Sequence, residues 1–550
     1  MSAVLGLIGG LGLLLLGLKT VSDALQVLVG DRLRRRMSGV GAGRRDQFAT
    51  GAAASLILQS SAAAAVMTVS FVNAGLLDLA AAAGVIIGAN VGTTATGWLL
   101  ALHLGSGALA LLGGGALVHL LARRESVRFA GALAMGVGML FVALRWLSSA
   151  CASIPADEYP TWVLQPLADG PAALIGAVLV GTLASALLQS ATALVGLAIA
   201  LAASGLLHLD GALALVIGAN LGSTVNAHRA AAPATADSRR AALVHTLGNA
   251  LTALVLLAGF GLWLRLIAAL GLQPLGRGDA MPLASPWHVA LGHTTFNLAL
   301  AALCLPLLGP LVGVARRLIG PAQRERAGLR YLRSGMVEAP ALAIEQCRLE
   351  VLHMAALAAA ALHLTRDLLA DMHSEARELR REILEREKAT DSAQHEVTVF
   401  MARVMAGTLS VAQGAECRAL VRAADEIESV ADYCERLANY RRRLLREDVV
   451  IDDPSLGDLQ AYLDRTVALF DDIVDRIRRR DSGWLAAIVT KAQYLAAEAD
   501  TLRDANLQRL AAQRTSPTAG IFYNDMLVAV RRIRNHTLNL AQAFARDDPA

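Results

Sequence analysis

One stretch of this chain is written twice. Residues 51–97 align with residues 181–227 without a gap, and 18 of the 47 positions are identical. GAAASLILQSSAAAA lies over GTLASALLQSATALV, and GVIIGANVGTTATG lies over ALVIGANLGSTVNA. Gln59 matches Gln189, Ser60 matches Ser190, Asn90 matches Asn220 and Thr94 matches Thr224, each at an offset of 130 residues. A bias towards Ala, Leu and Gly creates chance matches among those residues. It does not create Gln-Ser and Gly-Ala-Asn-x-Gly-x-Thr at one shared spacing. The chain therefore carries a duplicated structural unit.

The duplicated unit lies in apolar sequence. Hydrophobic residues make up 55% of the chain and charged residues 17%. Residues 1–320 hold 11 of the 46 acidic and 18 of the 50 basic residues, leaving 35 and 32 for residues 321–550. The first part reads as membrane-embedded and the second as a soluble helical domain. A wholly soluble enzyme is excluded, and so is a nucleic-acid binder, because the net charge of +4 is small and dispersed. Five cysteines, Cys151, Cys304, Cys347, Cys417 and Cys434, show no paired spacing, and the last three are expected as free thiols in a reducing compartment. The N-terminal apolar run lacks a basic leader and is expected to be a retained span.

A span needs about 20 apolar residues. Spans are predicted at about 3–29, 79–102, 105–122, 128–147, 211–228, 240–264 and 286–315. Two further stretches, 47–76 and 172–207, are apolar but carry polar residues at their midpoints, as re-entrant hairpins do. The positive-inside rule then puts four basic clusters on the cytoplasmic side: Arg32 to Arg45, Arg123 to Arg128, Arg229 to Arg240, and Arg316 with Arg317. The loop at 150–170, with Asp157, Glu158 and Asp169 and no Lys or Arg, falls outside. On this path the two hairpins enter from opposite faces, which makes the duplication an inverted repeat. Transporters built this way bind substrate and coupling ions where the copies meet.

Polar groups inside a membrane are costly unless paired or functional. Gln59, Ser60 and Ser61 sit at one predicted hairpin tip, and Gln189, Ser190 and Thr192 at the other. The second arm of each hairpin begins with free amides at the positive end of a helix dipole, with hydroxyls beside them. Two such tips suit a small oxyanion without any arginine. Asn90, Thr93 and Thr94, with Asn220, Ser223 and Thr224, lie in glycine-flanked segments expected to interrupt their helices. Their oxygens are hard neutral ligands suited to sodium. For a lone Ser or Gly, helix packing is the competing reading. HTLGN (His245 to Asn249) and HTTFN (His293 to Asn297) share one spacing and read as buttresses or interhelical bonds. His103 and His119 are assigned no role.

The paired QSS and QSA segments, each followed at fixed distance by GAN-x-G-[TS]-T, resemble the sodium-dependent phosphate cotransporter family (the type II sodium/phosphate group) over residues 1–320. The resemblance implies coupled movement of sodium and inorganic phosphate, with the Gln-Ser tips as phosphate cradle. That family usually has a serine run after each Gln. Here Ala191 interrupts the second run.

Beyond about residue 340 the pattern is helical, with helices predicted at 339–371, 374–410, 413–447, 456–481, 483–513 and 519–546, and breaks at Gly414, Pro454, Gly483 and Ser516-Pro517-Thr518. This part resembles the PhoU-like domain attached to many bacterial members of the same family. Its metal-associated E-x-x-x-D motif matches Glu387…Asp391 and Glu428…Asp432. Two such helices could hold a divalent or ferric metal, and a solvated acidic face is the other reading of the same spacing.

The fold expected is all-α: a polytopic membrane transporter of two inverted repeats with re-entrant hairpins (about 47–147 and 172–315 within a 1–320 domain). A cytoplasmic PhoU-like pair of three-helix bundles follows at 335–550. The function expected is sodium-coupled phosphate transport across the bacterial inner membrane. The alternatives are a phosphate exporter, a membrane phosphate sensor that does not transport, or a carrier of another oxyanion. Its partners are inorganic phosphate, sodium and membrane lipid, with no nucleic acid, and a homodimer is admitted. No Walker loop, nucleophile elbow or zinc motif occurs, so no enzyme activity is expected.

Overall fold

The computed structural model describes residues 2–38, 43–73, 77–102, 107–153, 170–232, 234–271, 283–320, 332, 340–370 and 376–545. The acidic residues of the 150–170 loop, His103 and the side chains of Arg32 to Arg36 lie outside the described residues. Among the described residues the structure is all helical apart from an isolated bridge, His208 to Leu283. The chain falls into two compact units, residues 1–324 with 338–342, and residues 325–337 with 343–550.

The first unit runs α1 (Ser2–Ser38), α2 (Arg44–Leu58), α3 (Ser61–Asn73), α4 (Leu79–Gly92), α5 (Thr94–Ala101), α6 (Gly107–Leu121), α7 (Glu125–Ala152), α8 (Gly170–Leu188), α9 (Ala191–Ala203), α10 (Leu209–Ala231), α11 (Ala236–Ala258), α12 (Phe260–Leu270), α13 (Pro286–Cys304) and α14 (Leu308–Leu318). Across the chain, five described helices are long and apolar enough to cross a membrane, or six if α13 and α14 form one broken span. This is a membrane protein.

The duplication is visible in how its helices pack. Helix α2 lies on α4, and α8 lies on α10. The glycines explain why they approach so closely. A Cβ on Gly88 would fall on the Phe48 carbonyl oxygen, and one on Gly218 would fall on that of Val178. Gly92 meets Ala52, and Gly222 meets Thr182, in the same way. Each of these contacts recurs at an offset of 130 residues, as the sequence alignment does. Small residues let backbones touch where the hydrophobic effect cannot drive association.

Three sequence expectations are corrected. The GANLGST segment does not interrupt its helix: α10 is continuous over Leu209–Ala231. In the first copy only Thr93 stands between α4 and α5, and its φ of −65° and ψ of −19° remain helical. The glycines there serve close packing and do not unwind the chain. The span expected at 240–264 ends at Ala258, where Gly259 separates α11 from the short α12. The span expected at 286–315 is broken, with α13 and α14 inclined at 81° across a gap that contains Pro306. Proline lacks the N–H that a continuing helix needs.

The second unit contains α15 (Pro340–Ala370), α16 (Arg377–Met405), α17 (Val411–Arg446), α18 (Asp453–Arg479), α19 (Leu485–Ala511) and α20 (Pro517–Ala545). Their ends follow local chemistry. Ser410 and Gln413 form a capping box on α17, Asp452 caps α18 ahead of Pro454, and Ser516 Oγ accepts the Ala519 amide at 3.1 Å. Gly414, expected to break the chain, lies inside the first turn of α17, and the break falls before Ser410. Helix α15 meets the length and hydropathy of a membrane span. It nevertheless buries Gln346, Glu350 and Thr365 within this unit. Helices α16 and α17 pack in the first half, α18, α19 and α20 in the second, and α17 against α20 forms the seam. On that seam Glu426 Oε2 accepts from His536 Nδ1 at 2.8 Å and from Asn539 Nδ2 at 3.1 Å.

Candidate functional site

Helix α2 stops at Leu58 because Gln59 takes a left-handed backbone, φ 54° and ψ 23°, a conformation that cannot continue a right-handed helix. Gln189 ends α8 with the same φ of 54°. In each copy the next residue starts the second arm. Ser60 Oγ accepts the Ala63 amide at 3.1 Å, and Ser190 Oγ accepts the Ala193 amide at 3.1 Å. The serine amides turn back onto Ser55 O at 3.3 Å and Ser185 O at 3.2 Å. Each tip is thus one tight helix–turn–helix, built identically from equivalent residues.

This geometry leaves donors for an anion. Having accepted a capping bond, the Ser60 and Ser190 hydroxyls keep their protons to donate. The amides of Ser61 and Ala62, and of Ala191 and Thr192, donate to no described group and stand at the positive ends of α3 and α9. The tips also meet: Thr192 Oγ1 donates to the Gln59 carbonyl at 3.4 Å. Expected as a phosphate donor, Thr192 here serves as the join between the two copies.

One feature of both tips escaped the sequence reading. Thr96 Oγ1 donates to Gln59 Oε1 at 2.8 Å, and Asn226 Nδ2 donates to the Gln189 carbonyl at 2.8 Å. Thr96 and Asn226 are themselves equivalent, each 37 positions after its glutamine. The alignment pairs them, but a Thr aligned with an Asn is not an identity and carried no signal alone.

The residues read as sodium ligands lie on α4–α5 and α10, all six of them buried. Thr93 Oγ1 donates to Asn90 O at 2.9 Å, Thr94 Oγ1 to Val91 O at 2.8 Å, Ser223 Oγ to Asn220 O at 2.8 Å and Thr224 Oγ1 to Leu221 O at 2.8 Å. With these protons turned onto their own helices, the hydroxyl lone pairs are what remain for a cation. Since neither helix unwinds, side-chain oxygens are the hard donors available here. Asn220 Nδ2 donates to Val216 O at 2.8 Å, and Asn90 Oδ1 lies 3.3 Å from His245 Nε2. His245 therefore buttresses the first GAN segment. Within both H-T-x-x-N motifs the Asn amide donates to the His carbonyl one turn back, at 2.9 Å in Asn249 and 2.8 Å in Asn297.

In the second unit, Glu387 and Asp391 on α16 face Glu428 and Asp432 on α17. Burial raises the Glu387 carboxyl above its ordinary range, and Glu435, Asp391, Asp432 and Glu428 add to the rise. Glu428 is raised by burial first and by Asp432 next. Asp432 is held by Arg436 at 2.8 Å. Among the described residues no three His, Cys, Asp or Glu side chains converge as a metal ion requires. The E-x-x-x-D acids are brought together as a mutually repelling face, and the metal expectation gains no support from it.

Comparison with known proteins identifies both parts. Residues 13–149 and 165–276 match the family described as Na+/Pi-cotransporter, and residues 351–440 match the PhoU domain. The Escherichia coli protein named "Putative inorganic phosphate export protein YjbB" is 24% identical over 504 residues, covering 90% of this chain and 87% of its own. The Salmonella typhimurium protein of the same name is 25% identical over 512 residues, with the same coverage. An uncharacterized Bacillus subtilis protein, YqeW, is 29% identical over 252 residues, 46% of this chain and 77% of its own. No solved structure matches. The chain belongs to the Na+/Pi-cotransporter family and carries a PhoU domain behind its transport unit.

Proposed function

We propose that this protein carries inorganic phosphate across the bacterial inner membrane, coupled to sodium, with the cytoplasmic PhoU domain as regulator. The observation that supports this best is the pair of left-handed Gln-Ser tips meeting through Thr192 and Gln59, each presenting undonated amides and a serine proton. Phosphate would be held by Gln59, Ser60, Ser61, Gln189, Ser190 and the α9 amides. Oxygens of Asn90, Thr93, Thr94, Asn220, Ser223 and Thr224 would supply sodium ligands. A dianion is costly at mid-bilayer without compensating cations, which favours ion coupling. Opposite entry of the two hairpins, and the basic clusters on one side, would make the repeats inverted.

Export is the second reading, favoured by relatives named for phosphate export that align over 90% of this chain. Proteoliposomes separate the two. Labelled-phosphate uptake driven by an inward sodium gradient, absent with potassium, is expected for symport. Movement without sodium dependence, in folded and inserted protein, would sink the sodium coupling and favour export by another driving force.

A further inference from the structure

The second unit contains a cleft of about 670 Å³ that includes none of the acids of that face. The end of α18, the turn at 481–484, the first turn of α19, the end of α20 and Arg348 of α15 line it. Three arginines, Arg348, Arg476 and Arg480, face a single acid, Asp481. All three are tied in place. Arg348 Nη2 donates to Ile477 O at 2.9 Å, Arg476 Nε donates to Asp472 Oδ1 at 2.6 Å, and Arg480 pairs with Glu345. A guanidinium carries five N–H donors, so such anchoring leaves Arg476 and Arg480 donors for a ligand.

The fourth wall is the start of α19. The beginnings of α17, α18 and α20 are capped by Ser410, Asp452 and Ser516, and α16 carries Glu378 in its first turn. Helix α19 has neither a side-chain cap nor a first-turn acid. Its leading residues Leu485 and Ala486 border the arginine cleft. Positive helix end and guanidiniums thus point into one space. Apart from Ser482, the rest of the lining is small or apolar, including Ile477, Leu485, Val489, Phe544 and the buried Trp484. The Arg348 guanidinium also stacks on the Phe544 ring, 5.7 Å from its centroid.

We infer that this cleft binds a phosphate ester carrying a planar or apolar group, placing a ligand site in the PhoU-bearing unit apart from its acidic face. The arginines and the α19 amides take the phosphate, and the apolar wall takes the remainder. Inorganic phosphate would fill the charged end alone. A nucleoside phosphate is the soluble source of this chemistry, and a phosphatidic headgroup is the membrane source. The inference does not depend on sodium coupling.

The test is equilibrium dialysis of the full chain in detergent with labelled ATP, competed by inorganic phosphate and by short-chain phosphatidic acid. Arg476→Ala removes one guanidinium and leaves Asp472 its other partner, Lys491 at 2.8 Å, and a normal melt checks that the variant is folded. Val489→Trp fills the apolar wall and touches no charge. Saturable binding of ATP or of phosphatidic acid, weakened about tenfold or more by each variant, is expected, as one lost charge-assisted contact implies. Preference for one over the other names the source. Three results would overturn the inference: no binding by either ester in chain that melts normally, binding unchanged in both variants, or inorganic phosphate competing as well as the esters.

Discussion

The two glutamine tips share a backbone and differ in their surroundings. Both glutamines sit at φ 54°, both following serines cap their helices, and both are anchored by a residue 37 positions on. Gln59 is 8% exposed, and both ends of its amide are tethered, Oε1 by Thr96 and Nε2 donating one of its two protons to Leu56 O at 2.6 Å. Gln189 is exposed, and Asn226 holds its main chain and not its side chain. Duplication preserved the turn, and divergence at one aligned position, Thr96 against Asn226, decided which part of each glutamine is tethered. One tip is preorganised and enclosed. The other keeps its side chain for what arrives.

The largest expected effect tests what the copies share. Gly88→Val and Gly218→Val each push a side chain onto a facing carbonyl. Each is expected to cost about 3 kcal/mol or more, read as lost monodisperse protein in detergent. If one copy tolerated the change, the two packing interfaces would not be equivalent. Next, Thr96→Val removes a buried hydrogen bond at constant shape and strands Gln59 Oε1. It should cost about 1–3 kcal/mol in thermal unfolding. Asn226→Ala acts at an open tip and should cost less. Equal losses would erase the contrast between the tips.

The smallest effect belongs to the second unit. Glu387 and Glu428 have raised carboxyls, so the folded unit holds their protons more firmly than the unfolded chain does. Their contribution to stability is therefore greatest below the ordinary carboxylate range and falls as pH rises through the raised values. Glu387→Gln should relieve repulsion at neutral pH by less than about 1 kcal/mol, because the site is partly solvated. The gain should vanish in acid. A melting curve that gains equally at every pH would rule out this cause.

The sequence announced the tips and the helices more clearly than the breaks. Gln-Ser and Gly-Ala-Asn survive as identities because a left-handed turn, its cap and a backbone contact each tolerate few residues. All six helices of the second unit were legible from their periodicity. The continuity of α10 was not, because glycine between polar residues reads equally as a broken helix or as a close helix crossing, and only the facing carbonyl decides. The bend between α13 and α14 was likewise hidden in one apolar run, since apolarity alone does not distinguish a straight span from a broken one. The α18–α19 arginine cleft draws on three separated stretches of the chain, and no local pattern marks it.

Labelled-phosphate binding to purified protein, wild type beside Gln189→Ala, tests the paired-tip site most directly. Loss of about tenfold or more in affinity, some 1.4 kcal/mol, with unchanged thermal unfolding is expected if the free glutamine faces phosphate. Wild-type affinity in the variant would contradict the assignment of the second tip to the site.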